Sequence, residues 1–190
     1  MRRLVIATKN QGKLREVRAV LAGLPYEVVS LEAYPDAPDV EETGCTFEEN
    51  AVLKAVECAR YTGELTLADD SGLVVDALDG APGVLSSRFA PTDSERNAKL
   101  LDLIKDVPDD RRTARFVCAI AISDPDGDVR SCDGRVEGTI AHAPRGTNGF
   151  GYDPVFYLPD LGRMMAELSP DEKNAISHRG RALAEARKML

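Results

Sequence analysis

At 190 residues, 43% hydrophobic and 29% charged, the chain has the size and composition of one globular domain with a full core. Its formal net charge of −8, with no long basic run, disfavours broad electrostatic binding to DNA or RNA. No stretch approaches the roughly 18 consecutive apolar residues of a membrane span, and four scattered cysteines without a Cys-x-x-Cys pair favour a reduced, cytosolic chain.

The first stretch, RRLVIAT, is β-branched and reads as a buried strand; its apolar run is too short for a signal-peptide core. Leu14, Val17 and Leu21 then recur at helical spacing, with Gly23 as a stop. Between strand and helix lies TKNQGK, Thr8 to Lys13. It lacks the glycines of a P-loop. The N–H groups of a helix start attract anions, however, and Thr8, Asn10 and Lys13 add donors and charge. The same residues read equally as a capped helix with a solvated lysine.

YEVVSL is a second strand and YPDAPDVEETG an acidic loop. TFEENAVLKAVECARYTG opens with a capping box, Thr46 and Glu49, and stops at Gly63. Within this helix Asn50 and Lys54 form a polar break in a mostly apolar sequence. LTLA is a strand running into DDSG. Adjacent aspartates on a strand point to opposite faces, so Asp69 and Asp70 have different roles. Such carboxylates suit a hard cation such as Mg²⁺, and Asp-Ser-Gly also suits a plain turn.

DGAPGVLSSRF is turn-rich, and TDSERNAKLLDLIKDV is an amphipathic helix capped by Thr92 and Glu95. TARFVCAIAI and VRSCDGRVEGTI are strands around the turn SDPDGD. In GFGYDPVF the glycines flank Phe150, which suits an exposed ring for stacking, and Asp153 is an acceptor beside it. EKNAISHRG clusters the donors Lys173, His178 and Arg179 before a closing helix. With His142 the only other histidine, the sequence disfavours a His-based zinc site. Strands and helices mix without strict alternation, so the expected class is α/β with a mixed, twisted sheet.

In order along the chain, TKNQGK, EETGCTFEENAVLKA, LADDSGL, GAPGVLSSRF, GFGYDPVF and EKNAISHRG resemble the motifs of the inosine triphosphate pyrophosphatases. The resemblance implies an elongated mixed central sheet with flanking helices, two lobes around a deep cleft, and one catalytic domain over residues 1–190. It implies Mg²⁺-dependent hydrolysis of deaminated purine triphosphates, ITP, dITP and XTP, to monophosphate and pyrophosphate, cleansing the nucleotide pool. A cytoplasmic homodimer is expected.

By position, Asp70 corresponds to the general base and Lys54 to a lysine that neutralises phosphate. Glu42, chosen over Glu41, joins Asp69 and Asp70 in the expected metal site. Thr8, Lys9, Asn10, Gln11, Gly12 and Lys13 resemble the phosphate turn, with Ser71 touching substrate. Phe150, Gly151, Tyr152 and Asp153 resemble the base-binding turn, and Lys173, His178 and Arg179 the remaining contacts. His178 and Arg179 would donate to a purine 6-oxo group and be left unpaired by the 6-amino group of adenine. A nucleotide hydrolase of different base preference and a non-catalytic nucleotide-binding module are the alternatives.

Overall fold

The computed structural model describes residues 2–190. Among them, seven strands form one sheet in the order β2-β1-β3-β4-β5-β6-β7. They are β1 (Arg2–Ile6), β2 (Tyr26–Ser30), β3 (Leu65–Val75), β4 (Thr113–Ser123), β5 (Val129–Ile140), β6 (Phe156–Leu158) and β7 (Arg163–Met164). β1 runs parallel to both β2 and β3, whereas β6 pairs antiparallel with β5 and β7, which makes the sheet mixed as expected.

The helices are α1 (Gln11–Val20), α2 (Phe47–Thr62), α3 (Asp93–Leu103), α4 (Pro170–Ile176) and α5 (His178–Met189). α2, α3 and α4 each begin with a capping box, Thr46 with Glu49, Thr92 with Glu95 and Ser169 with Glu172. Each box satisfies two N–H groups that a helix start otherwise leaves open. α2 ends on Gly63 at φ 68°, a left-handed conformation that glycine adopts without a Cβ penalty.

The chain forms two compact units, and β3, β4 and β5 each contribute residues to both. Unit 1 comprises Met1–Asp70, Cys118–Gly134 and Arg179–Leu190. Its part of the sheet is covered on both faces. Leu4, Ile6 and Leu67 pack with Leu14 and Val17 of α1 and Leu183 and Ala186 of α5. Val5, Ala7 and Ala68 pack with Ala51 and Ala55 of α2, and these small side chains let the α2 backbone approach the strands. The alternation of strand side chains thus assigns successive residues to the α1/α5 face and the α2 face.

Unit 2 comprises Ser71–Val117 and Arg135–His178. Its core joins Leu73, Leu100 and Ile104 to Phe116 and Phe156, whose rings lie 4.5 Å apart. Arg112 is 2% exposed and donates to the carbonyls of Ile104, Ile140 and Ala141 at 2.6, 2.8 and 3.0 Å. It thereby ties the end of α3 to β5.

Candidate active site

The face assignment decides the chemistry of the aspartate pair. The sequence suggested a strand ending at a DDSG turn, but β3 continues from Leu65 to Val75. Buried partners for both carboxylates override the low strand propensity of Asp and Gly. Continuing the alternation from Leu67 and Ala68, Asp69 enters the α1/α5 face and Asp70 the α2 face.

On the first face, Asp69 Oδ2 accepts from Lys13 Nζ at 2.8 Å and from Arg179 Nε at 3.2 Å. Arg179 also reaches Glu16 Oε2 through Nη1. Asp69 and Arg179 are both 2% exposed. Burial alone would raise the Asp69 pKa, but the charges of Lys13 and Arg179 outweigh it and hold the carboxyl well below the usual range. Burial opposes the charge of Arg179, and Asp69 and Glu16 more than restore it.

On the second face, Asp70 Oδ2 accepts from Asn50 Nδ2 at 3.2 Å and Oδ1 lies 3.3 Å from Lys54 Nζ. Lys54 also donates to Glu42 Oε1 at 2.6 Å. The polar break in α2 therefore faces Asp70. Asn50 works at both ends, because its Oδ1 accepts from Gly44 N–H at 2.8 Å and fixes the loop that carries Glu42. Burial raises the Asp70 pKa, and Lys54 and Lys13 offset this only in part. For Lys54 burial works against the charge, yet Asp70, Asp69 and Glu42 raise its pKa and keep it protonated.

The phosphate-turn residues divide. Asn10 is the N-cap of α1, its Oδ1 accepting from Lys13 N–H at 3.1 Å. Thr8 Oγ1 accepts from Asn10 N–H at 3.2 Å. Lys9 and Gln11 are exposed and bond Asp39 and Glu32, so of the six residues Lys13 alone reaches the aspartate pair.

Within unit 2, Asp153 Oδ2 accepts from Lys173 Nζ at 2.6 Å and from Phe150 N–H at 2.9 Å. The same ammonium stands 4.6 Å from the Phe150 ring centroid, a cation–π contact. Gly149, at φ 77°, leaves no room for a side chain, since a Cβ there would meet Asp153 Oδ2 at 2.0 Å. Tyr152 is buried, its hydroxyl donating to Ser86 O at 2.8 Å, so it anchors the turn. His178 is buried and stacks on Phe116 at 4.7 Å. Ser71 is half-buried and follows Asp70 directly in β3.

Among the described residues, no three Asp, Glu, His or Cys side chains gather closely enough to hold a metal by themselves. Glu42 and Asp70 converge on one ammonium, and a pair of carboxylates is what Mg²⁺ takes when substrate phosphates and water complete its shell. Asp69, expected in that site, faces Lys13 and Arg179 instead. Glu16 and Asn50 were not identified as site residues from sequence. Glu16 lies one helical turn after Lys13, the spacing that puts two side chains on one face.

The model of the Ham1 family matches residues 4–189. A protein of Geobacter sulfurreducens named dITP/XTP pyrophosphatase is 56% identical over 187 residues, covering 97% of this chain and 94% of the relative. One of the same name from Geobacillus kaustophilus is 56% identical over 188 residues, covering 97% and 92%. The structure of a HAM1 protein from Coxiella burnetii superposes with a TM-score of 0.91 at 46% identity, covering 100% of this chain and 98% of that one. The Staphylococcus aureus Ham1 protein gives 0.88 at 43%, covering 99% and 97%.

Proposed function

The chain belongs to the Ham1 family, and from that premise we propose that it hydrolyses deaminated purine nucleoside triphosphates, dITP, ITP and XTP, to the monophosphate and pyrophosphate. The observation that carries the catalytic assignment is the opposite fate of the two aspartates. Asp69 is locked between cations as a permanent anion, whereas Asp70 has a raised pKa and the role of proton acceptor.

In this reading Asp70 orients a water and takes its proton as the water attacks the α-phosphorus in line with the departing pyrophosphate. Lys54 and Lys13 offset the charge of the phosphates. Asp69 is a positioning residue that holds the Lys13 ammonium in place, with Arg179 and Glu16 behind it. Phosphoryl transfer needs such placement and neutralisation more than covalent help. Glu42 and Asp70 are the groups suited to hold Mg²⁺, which when bound supplies charge neutralisation and polarises a phosphoryl oxygen.

The base end falls to Phe150, by stacking, and to the donors Lys173 and His178. A 6-oxo group accepts from such donors, while the 6-amino group of adenine leaves them unpaired, which supports discrimination against ATP. A homodimer in the cytoplasm belongs to the same proposal, resting on the family resemblance and, for the compartment, on free thiols at Cys45, Cys58, Cys118 and Cys132.

A panel of ITP, XTP, GTP and ATP with Mg²⁺, read by pyrophosphate release, tests the reading. Release from ITP and XTP well ahead of GTP and ATP is expected. Equal release from all four, or orthophosphate as the product, would point to the alternative hydrolase; tight binding without turnover would point to a binding module.

A further inference from the structure

The Phe150 turn is held from an element that no motif of the sequence marks. Asp93 Oδ2 accepts from Gly151 N–H at 2.7 Å, and Asn97 Nδ2 donates to Gly151 O at 3.0 Å. Both come from the first two turns of α3, more than fifty residues earlier in the chain. Gly151 sits at φ 63° between Phe150 and Tyr152, so its peptide orientation sets where the Phe150 ring and the Asp153 carboxylate point. Asn97 is buried, and α3 is fixed to the unit 2 core through Leu100 and Ile104.

Packing does not replace these bonds. An open pocket of about 530 Å³ is lined by Asp93, Ser94, Asn97, Asn148, Phe150 and Pro154, so part of the turn faces solvent on the α3 side. The turn's hydrogen bonds include the pair to Gly151, Asn148 Nδ2 to Leu168 O at 2.9 Å, Tyr152 to Ser86, and Lys173 to Asp153, and only the pair to Gly151 comes from α3. The Asp93 bond, like that of Lys173 to Asp153, has a carboxylate acceptor, the stronger kind. Asp93 is itself well placed, as an anion in the first turn of a helix.

We propose that Asp93 and Asn97 are positioning residues for base recognition: together they clamp both polar groups of Gly151 and so hold Phe150, Asp153 and Lys173 in the geometry that receives the purine. The proposal rests on the assignment of that turn to the base. Neither residue contacts phosphate in this scheme, so their loss affects the base end alone.

The test is steady-state kinetics of the full chain on ITP with Mg²⁺, together with competitive inhibition by inorganic tripolyphosphate, which has no base. Asp93→Ala is expected to raise KM for ITP by about tenfold, the worth of one charge-assisted bond, with kcat within about twofold. The inhibition constant of tripolyphosphate stays at its wild-type value. Asp93→Asn keeps an acceptor oxygen and restores most of the affinity. Asn97→Ala gives the same pattern, and it carries the test if Asp93→Ala does not fold. A wild-type KM in both alanine variants overturns the proposal, as does weakening of tripolyphosphate in parallel with ITP. A wild-type enzyme that does not hydrolyse ITP overturns the underlying function instead, so the two failures are told apart.

Discussion

Lys13 stands on Asp69 and not on Asp70: its Nζ lies 2.8 Å from Asp69 Oδ2, on the α1/α5 face of the sheet. The neighbouring carboxylate turns to the other face and meets Lys54. One strand therefore presents two acids to two separate lysines. The period of two along a strand is what separates a structural anion from a reactive one.

Asp70→Asn removes the proton acceptor while keeping an oxygen for Asn50. Turnover of ITP is expected to fall by roughly 10²- to 10⁴-fold, the usual worth of general-base help, with nucleotide binding by calorimetry retained. In metal-free protein the substitution is also expected to preserve or slightly raise the urea midpoint, because burial already disfavours the ionised Asp70. Unchanged turnover would remove Asp70 from its role.

Asp69→Asn acts in the opposite direction on stability. It leaves Lys13 and Arg179 without the carboxylate they share, and truncating a buried ion pair costs roughly 3–5 kcal/mol. Urea denaturation of wild type and variant measures the difference. A loss below about 1 kcal/mol would show that Glu16 alone satisfies Arg179. The Mg²⁺ concentration for half-maximal activity separates the two roles. It moves little in whatever folded Asp69→Asn enzyme remains if Asp69 only positions Lys13, and it rises steeply if Asp69 is a ligand.

Glu42→Gln gives the complementary result. Losing one of two anionic ligands is expected to raise the half-saturating Mg²⁺ by about tenfold or more, since ligand charge sets the affinity of such sites. Magnesium titration of the initial rate measures it; an unshifted curve would exclude Glu42 as a ligand. Glu41→Gln serves as the control for the neighbouring acid.

Glu172 contributes a pH-dependent element at an exposed site. Hydrogen bonding from Arg163, and then from Ser169 N–H, lowers its pKa from 4.5 to about 2. A depressed folded pKa means that the native state binds this proton less readily than the unfolded chain. The stabilisation is therefore complete above about pH 5 and is lost as pH falls towards about 2. Glu172→Gln should make the urea midpoint fall less steeply across that window, with Asp69 still contributing, and lower it at pH 7; a slope identical to wild type would refute the assignment.

The sequence made some of this arrangement plain and hid the rest for physical reasons. Capping boxes and glycine stops are local signals, so α2 and α3 were legible with their starts at Thr46 and Thr92 nearby. The opposite faces of Asp69 and Asp70 followed from strand alternation, and the polar break at Asn50 and Lys54 marked the side of α2 that meets Asp70. The continuation of β3 through Asp-Asp-Ser-Gly was not legible, because partners from α1, α2 and α5 stabilise it. For the same reason Arg179 read as a donor to substrate, whereas its guanidinium lies between Asp69 and Glu16. Asp93 and Asn97 carry no local signal at all, since what they hold lies more than fifty residues away. The two units are each discontinuous in sequence, so no composition shift announces them.

The most direct measurement is product analysis by mass spectrometry after hydrolysis of ITP in ¹⁸O-labelled water. Water directed by Asp70 onto the α-phosphorus predicts one ¹⁸O in the phosphate of IMP and unlabelled pyrophosphate. Label in pyrophosphate, or release of orthophosphate with IDP, would contradict the account.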